Sequence, residues 1–499
     1  MKSIRTLFLA SFSGRVIFAA SSLISLPLLT KVLGAEAIGL IGFFTSLLMV
    51  LMVLEGGLTS SIIHRLASSS RRESYAPARH KKSTQILVKT YLSVFSVLGT
   101  FIVFLVWLSA DTVTNHWLNF EKLSHSEVLE SIHYMAIFIG LNLPILVLQG
   151  VFVGREMQPT LNAIYIPYSV ARTLGVVLLL QLMQPGAGIT DYFCMQVIIQ
   201  ILYLLSLLVF LYRALDFNPF SKGFKLAVLK RGMKFSGGVL LISLTSIVAV
   251  QYDKIYLSGS VGLSDYAAYT LAATLAGVPY IFSTAFSAVL FPRFSKSFAS
   301  GNQNELERVY RSAFSIIALV MSVLCGSIFW LSGGLVHVVF ETELADKINA
   351  IFPVLVIGTA LQSLSIVPFS LQLAMKWTKL AFKLNLFCVS IMVVMLPIFV
   401  DVYGVLGAAY IWVLYNIISI VLTCFFLIRK LPYLSDTLIV AAKITVSMIA
   451  LCWSTFGLLD YLMFWSLSSI YLVGIQILLS GLVLLAGAYF YRKQLKDFN

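Results

Sequence analysis

Long apolar stretches dominate this sequence from near its first residue to near its last. Fourteen windows of about 20 or more apolar residues follow one another with short breaks, and roughly 20 such residues are enough to cross a bilayer as a helix. Only 11% of the 499 residues are charged, whereas a soluble domain has about 25%. The sequence therefore predicts an all-α polytopic membrane protein, because hydrocarbon requires every backbone hydrogen bond to be made internally.

The fourteen predicted transmembrane helices contain an internal repeat. Phe12-Ser13-Gly14 opens the first span and recurs as Phe235-Ser236-Gly237 at the start of the seventh. Two such halves around a substrate form an alternating-access architecture. We expect two pseudo-symmetric six-helix lobes, at residues 1–212 and 235–430. A basic cytoplasmic linker, residues 213–234, joins them, and two additional helices follow at residues 431–499.

Basic residues lie almost entirely on one side of the predicted membrane. Of the 35 lysines and arginines, 29 fall on the side of the N-terminus and three on the opposite side, namely Lys31, Lys122 and Lys347. Cytoplasmic loops collect lysine and arginine, so both termini are predicted to be cytoplasmic. The net charge of +14 follows from this topology, and we expect no nucleic-acid partner.

Sequence motifs for catalysis are missing from the loops. There is no GxxxxGK[ST] phosphate-binding loop, no HExxH motif and no cluster of cysteine and histidine, so the patterns of P-loop hydrolases and zinc enzymes are excluded. No loop is long enough to fold a catalytic domain. We therefore expect neither catalytic nor metal-binding residues, and the sequence favours transport over catalysis.

Arg172 is the deepest charge in the predicted bundle, about 20 Å into the fifth span at 1.5 Å per residue. Tyr165 and Tyr168 share its helical face. A guanidinium flanked by tyrosine hydroxyls suits phosphate or sugar oxygens, since its planar fork donates to two oxygens at once. The alternative is an interhelical clamp. Gln196 and Gln200 in the sixth span are interpreted as helix–helix hydrogen-bonding residues.

Three further charged positions are candidates for function. Arg15 in the first span is either a cavity cation or the partner of Glu55, which the second span returns to a similar depth. Asp253 and Lys254 end the polar run 251–254 near the outer end of the seventh span. Asp253 is a candidate coupling carboxylate or gate, as is Glu55, and the alternative is an interfacial ion pair that reaches water.

Four short segments resemble a known family. They are Leu28-Leu29-Thr30-Lys31-Val32-Leu33-Gly34-Ala35-Glu36-Ala37-Ile38-Gly39, Glu55-Gly56-Gly57-Leu58, Asp253-Lys254-Ile255-Tyr256-Leu257 and Leu290-Phe291-Pro292-Arg293-Phe294. In order and spacing they resemble lipid-linked oligosaccharide flippases, the O-antigen (Wzx-type) branch of the multidrug/oligosaccharidyl-lipid/polysaccharide exporter superfamily.

This resemblance implies a flippase in the inner membrane of a bacterium, active in O-antigen and lipopolysaccharide biosynthesis. Its cargo would be a polyprenyl-diphosphate-linked oligosaccharide, bound in a cationic cavity by Arg15, Arg172 and Lys254 with Tyr165 and Tyr168. No cofactor is implied, and the coupling ion is open between H⁺ and Na⁺. Membrane lipid, a polysaccharide polymerase and a chain-length regulator are the expected partners.

Three alternative functions remain at this point. A multidrug/cation antiporter of the same superfamily should place acidic residues at mid-bundle. A lipid II flippase shares the span count but should open with a more basic first helix. A membrane polysaccharide polymerase, the enzymatic alternative, normally needs a large external loop.

Overall fold

The computed structural model describes residues 4–55, 57–69, 77–183, 185–215, 223–463 and 469–492. Within these ranges the secondary structure is helical, and the only extended pairing is one bridge between Asn119 and Gly262. The chain divides into two compact units, residues 1–264 and 265–499. Because the predicted lobes are defined by the repeat and not by contacts, their boundaries stay a prediction.

The first unit contains nine helices in its described part and the start of a tenth. They are α1 (Ile4–Leu33), α2 (Ala35–Met52), α3 (Leu58–Ser69), α4 (Pro77–His116), α5 (His125–Gly154), α6 (Gln158–Val170), α7 (Val176–Leu182), α8 (Ile189–Leu215), α9 (Leu226–Ser260) and α10 (Leu263–Ala276). A 3₁₀ turn, Val53–Glu55, follows α2, and a π-helical turn, Ala171–Gly175, joins α6 to α7.

The second unit continues from α10 with seven further helices over its described residues. They are α11 (Val278–Ala299), α12 (Gln303–Val339), α13 (Thr342–Ala374), α14 (Thr378–Tyr403), α15 (Val405–Lys430), α16 (Ser435–Met463) and α17 (Ser469–Phe490). The last two pack against α12, where Gly326 faces Cys452 of α16 and Gly487 of α17 faces Leu319. A side chain at either glycine would collide with its neighbour, so small residues permit this close packing.

Ten helices in the described part of the chain are long and apolar enough to cross a membrane. The all-α polytopic class is therefore confirmed. The other four predicted spans coincide with α1, α9, the pair α10–α11 and α17. These helices are not among the ten that are long and apolar enough in their described part. The number of fourteen spans stays a prediction.

One turn occurs in both units with the same hydrogen bonds. The N–H groups of residues 155–157 bond back to the carbonyls of 151, 153 and 152, and residues 375–377 repeat this pattern 220 positions later. The middle residue has a φ of +57° in both turns, at Glu156 and Lys376. Left-handed backbone is uncommon outside glycine, so this shared conformation supports an internal structural repeat.

A buried carboxylate anchors the connection between α4 and α5. Glu36, at the start of α2, accepts the backbone N–H groups of residues 121–123 at 3.0, 2.8 and 3.0 Å. Asn119 in the same connection accepts the N–H of Leu263 at 2.8 Å. The connection is thus tied to the first turn of α2 and to the start of α10.

Candidate anion-binding cavity

A cavity of about 400 Å³ lies within the first unit, bounded by α3, α5, α6, the π-helical turn and α8. Its volume is in the range of small-molecule sites. The lining includes Arg172, three tyrosines and four amide side chains, but no aspartate or glutamate among the described residues. A positively charged cavity without acidic groups favours an anionic ligand.

Arg172 sits in the π-helical turn, Ala171–Gly175. Such turns are rare and occur frequently at functional sites. Around it the hydroxyls of Ser169 and Thr173 donate to the backbone carbonyls of Ile166 and Ser169, each at 2.8 Å. Local side-chain hydrogen bonds therefore satisfy carbonyls where the helical pattern changes.

Neutral groups hold the guanidinium of Arg172 in place. Its Nε donates to Oε1 of Gln196 at 2.9 Å, and Nε2 of Gln196 donates back to the Arg172 carbonyl at 2.9 Å. Nη1 donates to the Tyr168 hydroxyl at 3.4 Å, and the guanidinium carbon lies 4.6 Å from the centre of the Phe138 ring. Within the described ranges no carboxylate pairs with Arg172. Among the described residues, its charge is oriented but not neutralised.

Hydrogen bonds and ring stacking link Tyr168 and Tyr203, two of the three cavity tyrosines, into one network. Tyr168 donates its hydroxyl to Oε1 of Gln200, whose Nε2 donates to Asn142 at 3.3 Å. The rings of Tyr168 and Tyr203 stack at 4.0 Å with 13° between their planes. Gln149 donates to the Tyr203 hydroxyl at 3.0 Å. The network connects α5, α6 and α8 and limits the freedom of the aromatic rings.

The structure brings three of the predicted site residues together, because Arg172, Tyr165 and Tyr168 all line this cavity. Arg15 is in α1, and its side chain lies outside the described residues, as does its predicted pairing with Glu55. At the neighbouring Gly14, α1 lies so close to α6 that a Cβ atom on this residue would come within 2.4 Å of Asn162 Oδ1. The first helix therefore passes beside the cavity at the position of Arg15.

The remaining candidates lie elsewhere in the first unit. Glu55 ends the 3₁₀ turn and accepts a hydrogen bond from Thr59, which lines the cavity. Lys254 does not line it. Its Nζ lies 3.4 Å from Asp253 Oδ1 and donates to the Val250 carbonyl at 2.8 Å, and the Asp253 side chain is only 4% exposed. The Lys254 side chain is 21% exposed, so both the gating role and the interfacial ion pair stay open for these two residues. The roles predicted for all three stay predictions.

Sequence reasoning gave no ligand-related role to several polar residues that line the cavity or contact its lining. Gln196, Gln200 and Tyr203 lie at positions i, i+4 and i+7 of α8, and Asn142 and Gln149 are seven residues apart on α5. Both spacings place polar side chains on one helical face, so a search for polar stripes could have found them. The π-helical turn leaves no comparable signal in the sequence.

Comparison with known proteins identifies the family. Residues 8–298 match the profile of the family described as "Polysaccharide biosynthesis protein". A protein of Shigella flexneri with the name "Putative O-antigen transporter" is 23% identical over 417 residues, which cover 79% of this chain and 91% of that protein.

Solved structures with similar folds include two transporters. Lipid II flippase MurJ in an inward closed conformation superposes with a TM-score of 0.71 at 15% identity, covering 98% of this chain and 99% of its own. An inward-facing multidrug resistance MATE family transporter of the MOP superfamily gives a TM-score of 0.67 at 15% identity, covering 84% and 95%. The chain thus shares the fold of these two transporters. Because the family match over residues 8–298 covers more than half of the chain, the chain belongs to the polysaccharide biosynthesis protein family.

Proposed function

We propose that this protein flips a polyprenyl-diphosphate-linked oligosaccharide repeat unit across the inner membrane of a bacterium, by alternating access between the cytoplasmic and periplasmic leaflets. One observation carries the proposal. Arg172 lines a cavity within the helical bundle, and no carboxylate among the described residues neutralises it. A charge at membrane depth costs about 3 kcal/mol on insertion scales, and such residues usually mark substrate pathways.

The bonding of the guanidinium suits a diphosphate. Gln196 occupies Nε, Nη1 has only a long contact of 3.4 Å to Tyr168, and Nη2 has no hydrogen-bond partner among the described residues. The terminal nitrogens therefore keep donor capacity for two oxygens of one anion, a pairing that is both directional and charge-assisted. The diphosphate would bind there while the polyprenyl chain stays in lipid.

The chemistry of the cavity argues against the antiporter alternative. A carrier of organic cations needs an acidic group at mid-bundle, whereas the described lining has an arginine and no acid. The transporters to which this chain is similar support a protein that moves its substrate and does not transform it. The related O-antigen transporter favours an oligosaccharide repeat unit over lipid II, although the fold is shared with a lipid II flippase.

The details of coupling and assembly are also proposals. Asp253 and Glu55 are the candidate coupling or gating carboxylates for H⁺ or Na⁺, and no cofactor takes part. Membrane lipid, the polysaccharide polymerase and the chain-length regulator would be its partners in the membrane. Both termini would be cytoplasmic.

Deletion of the gene in its native bacterium tests the function. We expect the lipid-linked repeat unit to be assembled normally and to accumulate in the cytoplasmic leaflet, where an impermeant periplasmic glycosidase or label cannot reach it. Complementation with the wild-type gene should restore export. Accumulation of unpolymerised units in the periplasmic leaflet would contradict the proposal and favour the polymerase alternative. Accumulation of lipid II in place of the repeat unit would favour the lipid II flippase.

A further inference from the structure

The cavity beside Arg172 continues along α6 far beyond the guanidinium. Gln158, Asn162, Tyr165 and Tyr168 line it together with Arg172. The first and last of these positions are fourteen residues apart, which corresponds to roughly 20 Å along a helix. A diphosphate occupies only one end of such a length, so the remaining polar wall is available to another part of the same ligand.

Three amide oxygens in this wall lack hydrogen-bond partners among the described residues. Nδ2 of Asn162 donates to the Gln158 carbonyl and Nε2 of Gln149 donates to Tyr203, each at 3.0 Å. In the described part of the chain, the side-chain oxygens of Asn162 and Gln149 accept no bond. Oε1 of Gln158 is buried and also accepts none. All three are acceptors without charge, and their natural complement is a ligand with several O–H or N–H donors.

An aromatic surface accompanies these acceptors. The ring of Tyr165 lies 6.0 Å from that of Tyr168 and 6.3 Å from that of Tyr203, and all three line the cavity. Aromatic rings provide large, rigid contact area with an apolar face. The C–H faces of a sugar ring match this surface, while its hydroxyl or acetamido groups match the amide oxygens.

We infer that Gln149, Gln158, Asn162 and Tyr165 form a carbohydrate subsite that binds the sugar attached to the diphosphate. The inference rests on the proposed function, because it takes the anion at Arg172 to be that diphosphate. The subsite distinguishes sugar-bearing cargo from a bare polyprenyl diphosphate, since only the sugar supplies donors to the three amide oxygens. The protein would thereby load assembled cargo in preference to the empty carrier lipid.

Two kinds of soluble analogue, with and without a sugar, separate the subsite from the anion site. Bare farnesyl diphosphate is compared with farnesyl diphosphate carrying one sugar, in turn glucose, galactose and N-acetylglucosamine. Dissociation constants are measured by calorimetry on the full-length protein in nanodiscs. For the wild-type protein we expect at least one sugar-bearing analogue to bind about tenfold more tightly than the bare one, as a few added hydrogen bonds would give.

The variants test which residues supply this preference. Gln158→Leu and Gln149→Leu should reduce the ratio of the two dissociation constants to within about twofold of one while bare farnesyl diphosphate binds as before. Arg172→Met should weaken both analogues and leave the ratio unchanged. Gln181→Leu is the matched control, since Gln181 is exposed on α7 and does not line the cavity. Thermal midpoints of all variants identify any that fail to fold.

Each outcome decides the inference. A ratio near one in the wild-type protein for every sugar would overturn it, and so would a wild-type preference that survives in both folded glutamine variants. The proposed function stands in either case if bare farnesyl diphosphate binds and Arg172→Met weakens that binding. If no analogue binds the wild-type protein, the proposed function fails and the inference fails with it.

Discussion

Each unit contains the turn described above, at residues 155–157 and 375–377, and the helix after it carries different side chains in the two units. In the first unit this helix carries Tyr165, Tyr168 and Arg172 and is interrupted by the π-helical turn. At the same 220-residue offset the second unit has Asn385, Cys388 and Met392 on α14, which runs without interruption from Thr378 to Tyr403. One scaffold thus occurs once with a charge at this position and once without.

The surroundings of the two positions differ as well. Phe138 lies under the Arg172 guanidinium, whereas Gly358, 220 residues after it, packs against Trp412 so closely that a Cβ would come within 2.3 Å of the indole. Met392 is 1% exposed. At the position of Arg172 the second unit therefore has a buried apolar side chain. The scaffold does not need a cation here, which supports a ligand-binding role for Arg172.

Transferring the charge to the second unit should have the largest effect. Met392→Arg buries a guanidinium at a position without the glutamine clamp of the first unit, at an insertion cost of about 3 kcal/mol or more. We expect little folded protein in the membrane, measured by abundance and size-exclusion profile. Met392→Leu is the control, because volume-conserving apolar exchanges usually cost less than about 1.5 kcal/mol. Normal abundance of Met392→Arg would show that both units accept a charge.

The acidic residues at the start of α2 and α10 should differ strongly in their contribution to stability. Glu36 is buried and accepts three backbone N–H groups, whereas Asp265 is about half exposed and pairs with Lys347 at 2.8 Å. Glu36→Ala leaves those donors unpaired and should cost about 3 kcal/mol of unfolding free energy. Asp265→Ala should cost at most about 1 kcal/mol. Equal shifts in thermal midpoint would contradict this asymmetry.

Neutralising the guanidinium in place should impair transport while the protein remains folded. Gln196→Glu puts a carboxylate where Oε1 now lies 2.9 Å from the Arg172 Nε. The new ion pair competes with the cargo, and we expect export to fall by about tenfold or more, equivalent to one charge-assisted hydrogen bond. Export and membrane abundance are measured in the same strain, with Gln181→Glu on α7 as control. Export at the wild-type level would argue against an anion at this site.

A histidine at the end of α12 should make a small, pH-dependent contribution. The Gly333 carbonyl and then the Asp346 carboxylate, 2.9 Å away, raise the pKa of His337. Because the pKa of His337 is higher in the folded than in the unfolded protein, protonation of this histidine stabilises the fold. This stabilisation is fully present below about pH 6.5 and is lost as the pH rises through the pKa of the folded state. The thermal midpoint should fall slightly more between pH 5.5 and 8 in the wild-type protein than in His337→Gln. An identical pH dependence would contradict this contribution. For comparison, the described His125 of the first unit contacts the uncharged amide of Asn115, where His337 contacts a carboxylate.

The sequence predicts the membrane class and part of the site because both depend on local patterns. Apolar runs define helices in hydrocarbon, and the four-residue spacing of Tyr168 and Arg172 places both on one helical face. A deep arginine stands out in such a run because its burial is costly. These features required no knowledge of how the helices pack.

The rest of the site depends on packing between helices. Gln196 becomes a clamp only because α8 brings its amide to both the side chain and the carbonyl of Arg172. The burial of Asp253 likewise depends on neighbouring helices, because its position in the sequence leaves a gate and an interfacial ion pair equally open. Tertiary contacts decide such cases, and single-sequence patterns do not contain them.

Flipping by the purified protein tests the role of Arg172 most directly. Wild-type protein and Arg172→Met, which installs the side chain found at the offset position of the second unit, are reconstituted at equal density in liposomes with a fluorescent polyprenyl-diphosphate-linked sugar. Exposure of the label to an external quencher is followed over time. We expect transfer by the wild-type protein and a rate at least about tenfold lower for Arg172→Met, with Arg172→Lys between them. Transfer by folded Arg172→Met at the wild-type rate would contradict the assignment of the cavity as the cargo site.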